Sequence, residues 1–318
     1  MPIPSSNRRG SALLTVLWLT AALSAIGLAV ANNVRGETER AATNVEDVKA
    51  FFIASGAIQR AVLHMNWGKP FYTPGMPGMD LDFPAASVHV EIIPETSKLG
   101  LNSSRVDDFA RLLTILGVPG DNAAETAAAI VDWRTPDPLH ASLFDAFYLA
   151  QSPSFLPPHT SFTETGELLL VKGITPDLFY GTSLGLDQGR AHAGLRDCVS
   201  VYGGGGGIDI NTAQPETMQA VGLSAGDAAE LVTMRKAQGM ITPLQYAGIR
   251  QSLGPSGNRL GIGGSTMFTL RATARMKQAD GKLSDLRRTV GALIKFWSAG
   301  NTQNVPPGFQ IVQWFDRA

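Results

Sequence analysis

Gly181-Thr182-Ser183-Leu184-Gly185 puts a serine at the centre of the spacing that exposes a hydroxyl nucleophile on a strand-to-helix turn. That chemistry also needs an acid and then a histidine further along the chain. The only later histidine is His192, and Asp187 lies too close before it to form a separate arm of a triad. The pentapeptide therefore reads as a turn that ends a helix. His64, His89, His140, His159 and His192 show no ligand spacing, which argues against zinc. Gly203 to Gly207 and Gly261-Ile262-Gly263-Gly264-Ser265 lack the lysine of a phosphate loop and read as connectors. Cys198 is the single cysteine, which excludes an internal disulfide framework and a cysteine-rich metal site. Acidic residues keep one metal question open. Asp132, Asp137, Asp145, Glu164 and Glu167 fall near one another, and carboxylate oxygens suit calcium. Their spacing matches no defined calcium loop, solvated surface carboxylates are the plainer account, and no ligand is assigned.

The sequence offers no catalytic constellation, and its elements carry the remaining information. A chain of 318 residues has room for about two domains of ordinary size. Its 26 basic and 27 acidic side chains leave a net charge of −1, so no long-range field draws it to polyanions. A hydrophobic fraction of 44% against 17% charged excludes a chain disordered or coiled-coil throughout.

The N-terminus is the first informative segment. Residues 1–10 form a short polar leader ending in Arg8-Arg9-Gly10, and residues 11–34 carry no charge. A helix needs about 20 apolar residues to cross the hydrocarbon core, so this run can span it. A cleavable secretory signal with a small-residue site near Ala29 or Ala31 is a second reading of the same run, and a plain signal anchor a third. Arg8 and Arg9 precede the span, while Arg35 and Arg40 after it are offset by Glu37 and Glu39. The charge asymmetry places the N-terminus on the cytoplasmic side. No proline interrupts Ala31 to Trp67, and Val45, Val48, Phe52, Ile58 and Val62 recur at intervals that fit one face of a helix. A continuous helix from Ser11 to Asn66 would be about 84 Å long.

Beyond this stem the period changes to two. Ser87 to Ile93 alternates polar and apolar residues, as do Phe268 to Arg275, Thr289 to Phe296 and Phe309 to Phe315. Four such strands predict an antiparallel sheet packed on the stem, with the intervening chain as an insertion. Within it a diverged repeat is visible. Gly100-Leu101-Asn102-Ser103-Ser104 precedes a helical pattern, a glycine turn and an alanine-rich second helix, and Asp209-Ile210-Asn211-Thr212-Ala213 precedes the same sequence of elements. Asparagine or threonine before the first helix of each unit suits an N-cap. Leu168 to Ile174 and Leu244 to Ile249 match as distal pieces.

Residues 8–17, Arg-Arg-Gly-Ser-Ala-Leu-Leu-Thr-Val-Leu, resemble the prepilin leader of the type II secretion minor pseudopilin K family. Ile130 to Asp137 resembles that family's acidic Asp-Trp motif, with Arg134 and Thr135 where acidic residues would be expected, and the tandem units resemble its helix-hairpin-helix insertion. The resemblance implies an α+β fold: a pilin-like N-terminal helix on an antiparallel sheet, with a large α-helical insertion of tandem helix-hairpin-helix-like (SAM-like) units. The implied organisation is a leader over 1–10, a transmembrane segment over 11–34, and a periplasmic stem over 35–67. The sheet would begin over 68–99, the helical insertion occupy 100–255, and the last strands 256–318. Cleavage would fall after Gly10, leaving Ser11 as the first residue, where phenylalanine is more usual and where the peptidase methylates the amine. Most pseudopilins carry a glutamate at the fifth mature position; the K family lacks it, and this chain has Thr15. The implied role is a non-enzymatic, single-pass inner-membrane subunit that begins and caps a periplasmic pseudopilus. The implied partners are I- and J-type minor pseudopilins, the major pseudopilin and the prepilin peptidase. No nucleic acid is implied, no cofactor is assigned, and calcium stays open because relatives bind it in this domain. A membrane-anchored DNA-uptake receptor using its hairpins on DNA is the alternative.

Overall fold

The computed structural model describes residues 9–139, 142–181, 193–204, 207–278, 280–297 and 308–315, the first four by backbone alone. Helix α1 (Arg9–Trp67) runs unbroken through 59 residues, about 89 Å at 1.5 Å per residue, and passes Gly27, Gly36 and Gly56 without interruption. It ends where Gly68 takes φ 67° and its amide donates to the His64 carbonyl at 3.1 Å. Glycine reaches this left-handed geometry without steric cost, which is why helices so often stop on it.

From Leu13 to Lys49 the stem buries no side chain. Below that, Ala50, Ala54, Ala57, Ile58, Ala61, Val62 and Met65 are buried in one core with the sheet. Four of these seven are alanines, whose single methyl lets the helix lie close on the strands. The sheet orders its strands as β1 (Gly78–Phe83), β2 (Ala86–Pro94), β3 (Met267–Lys277), β4 (Leu283–Trp297) and β5 (Gly308–Phe315), antiparallel at each step. Val88, Val90 and Ile92 of β2, Leu270, Ala272 and Ala274 of β3, and Val290, Ala292 and Ile294 of β4 face the stem. The period of two thus buries alternate residues, as expected for a sheet covered on one face.

Two sequence expectations need correction. The sheet has a fifth strand, β1, whose Met79 and Leu81 are buried while Asp80 and Asp82 point outward. The expected single apolar stripe on the stem is two faces. Ile58 and Val62 pack on the sheet, but Val45, Val48 and Phe52 are more than half exposed. At about 100° per residue, Phe52 lies about 120° round the helix from Ile58.

The chain leaves the sheet at Pro94 and re-enters at Met267, with Phe268 paired directly opposite Pro94. Between them, α2 (Val106–Ile115), α3 (Gly120–Arg134), α4 (Pro215–Ala220), α5 (Ala225–Gln238) and α6 (Pro243–Ser252) enclose a second core of their own. Two units with corresponding contacts make up this part. In the first, the Asn102 amide donates to the Phe162 carbonyl at 3.0 Å and accepts from the Phe162 amide at 2.8 Å. In the second, Asn211 makes the same two bonds to Ile241, at 3.0 and 2.7 Å. Each asparagine therefore imitates a strand backbone and ties the start of its unit to the distal piece. The arginine near the end of the second helix repeats as well. Arg134 donates to the carbonyls of Leu101 and Ser104, and Arg235 to those of Ile210 and Ala213.

Asp108 on α2, fully buried, joins the two units. Arg259 grips it through two bonds of 2.8 and 2.6 Å, and Arg111 through a third of 2.5 Å while also donating to the Ala220 carbonyl of α4. Burial alone would raise this carboxyl; the bonds and charge of Arg259, the Arg105 amide and Arg111 hold it below its usual value. A depressed carboxylate adds stability above its unfolded pKa, and loses it as pH falls through the folded value. Asp108→Asn should cost about 2–3 kcal/mol, less than a fully buried pair because both guanidinium groups are partly exposed. At neutral pH its melting temperature should fall by roughly 5–10 °C, and the gap from wild type should close below the ordinary carboxylate value of 3.8.

Candidate functional site

The upper stem and the first helical unit carry the features with functional content. Gly10 and Ser11, the expected processing residues, lie within the backbone of α1, and residues 1–8 of the leader fall outside the described residues. Leu13, Leu17, Trp18, Leu23, Ile26, Leu28 and Val34 are all exposed, on a helix long and apolar enough to cross a membrane. Charge begins immediately below, where Arg35 pairs with Glu39 and Arg40 with Glu37 on the surface. Val45, Val48 and Phe52 then present an apolar flank that the protein's own sheet does not cover. Near Phe51 the stem meets β4, where Arg288 pairs with Asp47 at 3.5 Å and lies over the Phe51 ring.

The five carboxylates considered for calcium separate into two groups. Glu164 and Glu167 stand at the two ends of a capping box over the 3-10 turn Thr165–Leu170. Glu167 accepts from the Thr163 amide and hydroxyl, from the Glu164 amide and from the Trp133 indole. Burial would raise its pKa, but these bonds hold it below the usual carboxylate range. Asp132, Asp137 and Asp145 instead gather around His159. Nε2 of His159 is 3.0 Å from Asp145 Oδ1, and Nδ1 is 3.2 Å from the Asp132 carbonyl and 3.9 Å from its Oδ2. Ser142 donates its hydroxyl to both oxygens of Asp132, at 2.8 and 2.9 Å, and its amide to Asp137 at 2.9 Å. Burial would lower the imidazole pKa; hydrogen bonds to Asp145 and Asp132 and their charge raise it. Histidine spacing gave no hint of this grouping, because its members meet only when the loop after α3 folds back on the helix end.

Other candidates resolve into structure. Gly181 caps the short helix Pro176–Tyr180 at φ 79°, a helix-ending turn, and Thr182 to His192 lie outside the described residues. Cys198 is buried, and burial pushes its thiol up to about 12, so it is not a ready nucleophile. The glycine of the second hairpin, Gly222, has its carbonyl bonded by Ser256, and Ser224 caps α5. Arg235, a cation that a phosphate-binding hairpin would offer, is turned inward on two backbone carbonyls.

Comparison with known proteins points one way. Residues 94–181 match the family profile of type II secretion system protein K. A curated relative, type II secretion system protein K of Klebsiella pneumoniae, is 27% identical over 203 residues, covering 54% of this chain and 60% of the relative. The chain thus matches about 60% of the length of that relative. A chain in the crystal structure of the GspK-GspI-GspJ complex from the enterotoxigenic Escherichia coli type 2 secretion system aligns with a TM-score of 0.50 at 16% identity, over 87% of this chain and 98% of that one. At that identity the likeness speaks for the fold: a long N-terminal helix, an antiparallel sheet and a helical insertion. Profile and relative agree that this chain is similar to type II secretion system protein K, and its fold is like that of a chain in the GspK-GspI-GspJ complex.

Proposed function

We propose that this chain is a minor pseudopilin that starts the periplasmic pseudopilus of a type II secretion system and caps its tip. One observation carries the reading: α1 continues above the sheet for some 37 residues as a helix that buries no side chain of its own fold. A stem of that kind is stable in a bilayer while its lipid-facing residues are covered, and in a fibre while neighbouring stems cover them. Prepilin peptidase cuts after Gly10, and the new N-terminus at Ser11 remains with the anchor. The domain below residue 35 stands in the periplasm. The fold likeness to a chain of a GspK-GspI-GspJ complex supports I- and J-type minor pseudopilins as lateral partners, with the major pseudopilin added beneath.

Thr15 fits the first position in such a fibre. A carboxylate within the bilayer is tolerable only when paired, and in a pilin-like stem its partner is the amine of the subunit ahead. Thr15 has no carboxylate, so this stem makes no such bond forward and needs no subunit in front of it. The helical insertion gives the cap its bulk, and assembly rather than catalysis is its work.

Two outcomes test this reading. Gly10→Val should leave the precursor uncut in cells that hold the peptidase, while wild-type protein yields Ser11 on N-terminal sequencing. A start near Ala31 would instead mark ordinary signal cleavage and end the pseudopilin reading. Val45→Glu and Val48→Glu should each lower secretion by about tenfold or more, since one buried valine is worth about 1.5–3 kcal/mol in a lateral contact. Because both side chains are exposed in the monomer, melting should be unchanged, and normal secretion in both variants would refute the stem contact.

A further inference from the structure

The first helical unit contains a loop that the second lacks. Asn102 and Phe162, its tied ends, are 60 residues apart, whereas Asn211 and Ile241 are 30 apart. Leu101 and Arg134 are separated by 33 residues, close to the 25 between Ile210 and Arg235. Most of the extra length therefore lies between Arg134 and Phe162. It brings Asp137, Ser142, Asp145 and His159 to the end of α3, where Asp132 stands.

Folding such a loop concentrates three carboxylates, which repel one another unless positive charge or hydrogen-bond donors are placed among them. Calcium would be the usual answer, with six to eight oxygen ligands. Here an imidazole nitrogen stands among the oxygens instead. The ligand atoms of Asp137, Asp145 and His159 all lie within 4.8 Å of one another, and the ring is nine-tenths buried. With Asp145 ionised, the hydrogen-bond partners constrain the charge of the ring. Nδ1 faces the Asp132 carbonyl and Nε2 faces the Asp145 carboxylate. A carbonyl and an ionised carboxylate can only accept, so both ring nitrogens must carry hydrogen. His159 also holds φ 44°, an uncommon left-handed conformation for a residue with a Cβ. Ser142 fills the remaining need for donors at Asp132 and Asp137.

We propose that the His159 imidazolium is the resident cation of this loop, so that the first helical unit folds without a bound metal ion. The oxygen ligands that calcium requires are already directed at a nitrogen base and at Ser142, and the family's calcium chemistry does not fit this donor set. Melting of the full-length protein in detergent micelles tests the idea, with millimolar calcium chloride compared against EGTA. The expected result is the same melting temperature in both. A calcium site of micromolar affinity would raise it by roughly 10 °C at that concentration, and such a rise would overturn the proposal. One-to-one zinc binding lost in His159→Asn would overturn it too, because the ring would then be a metal ligand. His159→Asn should melt several degrees lower in EGTA, and recovery on adding calcium would show ring and ion competing for one place. A variant as stable as wild type in EGTA would refute the role of the ring. Should the variant fail to fold, the wild-type calcium and zinc titrations decide alone.

Discussion

The close seat of the lower stem on the sheet is the contact from which the rest of the molecule is arranged. Ala50, Ala54, Ala57 and Ala61 bring the helix backbone near the strands, and Ile58, Val62 and Met65 fill the spaces between valine, isoleucine and leucine side chains below. This seat leaves the upper stem projecting as an unbroken continuation of the same helix. It also fixes which flank of the helix is free, since the face that meets the sheet cannot turn to meet a neighbour. Had the alanines been large, the helix would stand further off and the sheet face would lose its cover.

The insertion is anchored differently. It has its own core and is held internally by paired polar devices, each satisfying buried backbone groups that a loop would otherwise leave bare. Asn102 and Asn211 stand in for strands, and Arg134 and Arg235 close the carbonyls at the start of each unit. Arg134 thereby explains a departure noted in the sequence. Where an acidic residue would be expected, the chain has the arginine that its own second unit repeats.

Much of the fold was legible in the sequence because its periods are simple. Alternation located four strands, and the apolar run with its proline-free continuation located the stem. β1 escaped notice because Gly78, Asp80 and Asp82 leave just Met79 and Leu81 as inward residues, too few to show a period. The stem stripe was misread because the step from Phe52 to Ile58 is six residues, about 120° out of series, so that residues which look like one series lie on two faces. The asparagine clamps and the His159 grouping depend on partners up to 60 residues away, and no local pattern announces such contacts. Of the five carboxylates, nearness in sequence selected the right neighbourhood but could not separate Glu167, which caps a turn, from Asp145, which faces the imidazole.

The direct pairing of Pro94 with Phe268 has a consequence for the order of folding. The Glu95–Thr269 bond beside that pair joins residues 174 apart, so β2 and β3 cannot find each other until a very long loop has closed. For a random chain the closure entropy grows only slowly with length, yet the search for so distant a pairing is slow. A helical insertion that condenses first, through its own local contacts, brings both ends to one rung and turns the search into the closing of a short hairpin. The stem can then settle only on a sheet that is already complete. Stem and sheet thus become one piece last, after the helical insertion has taken shape.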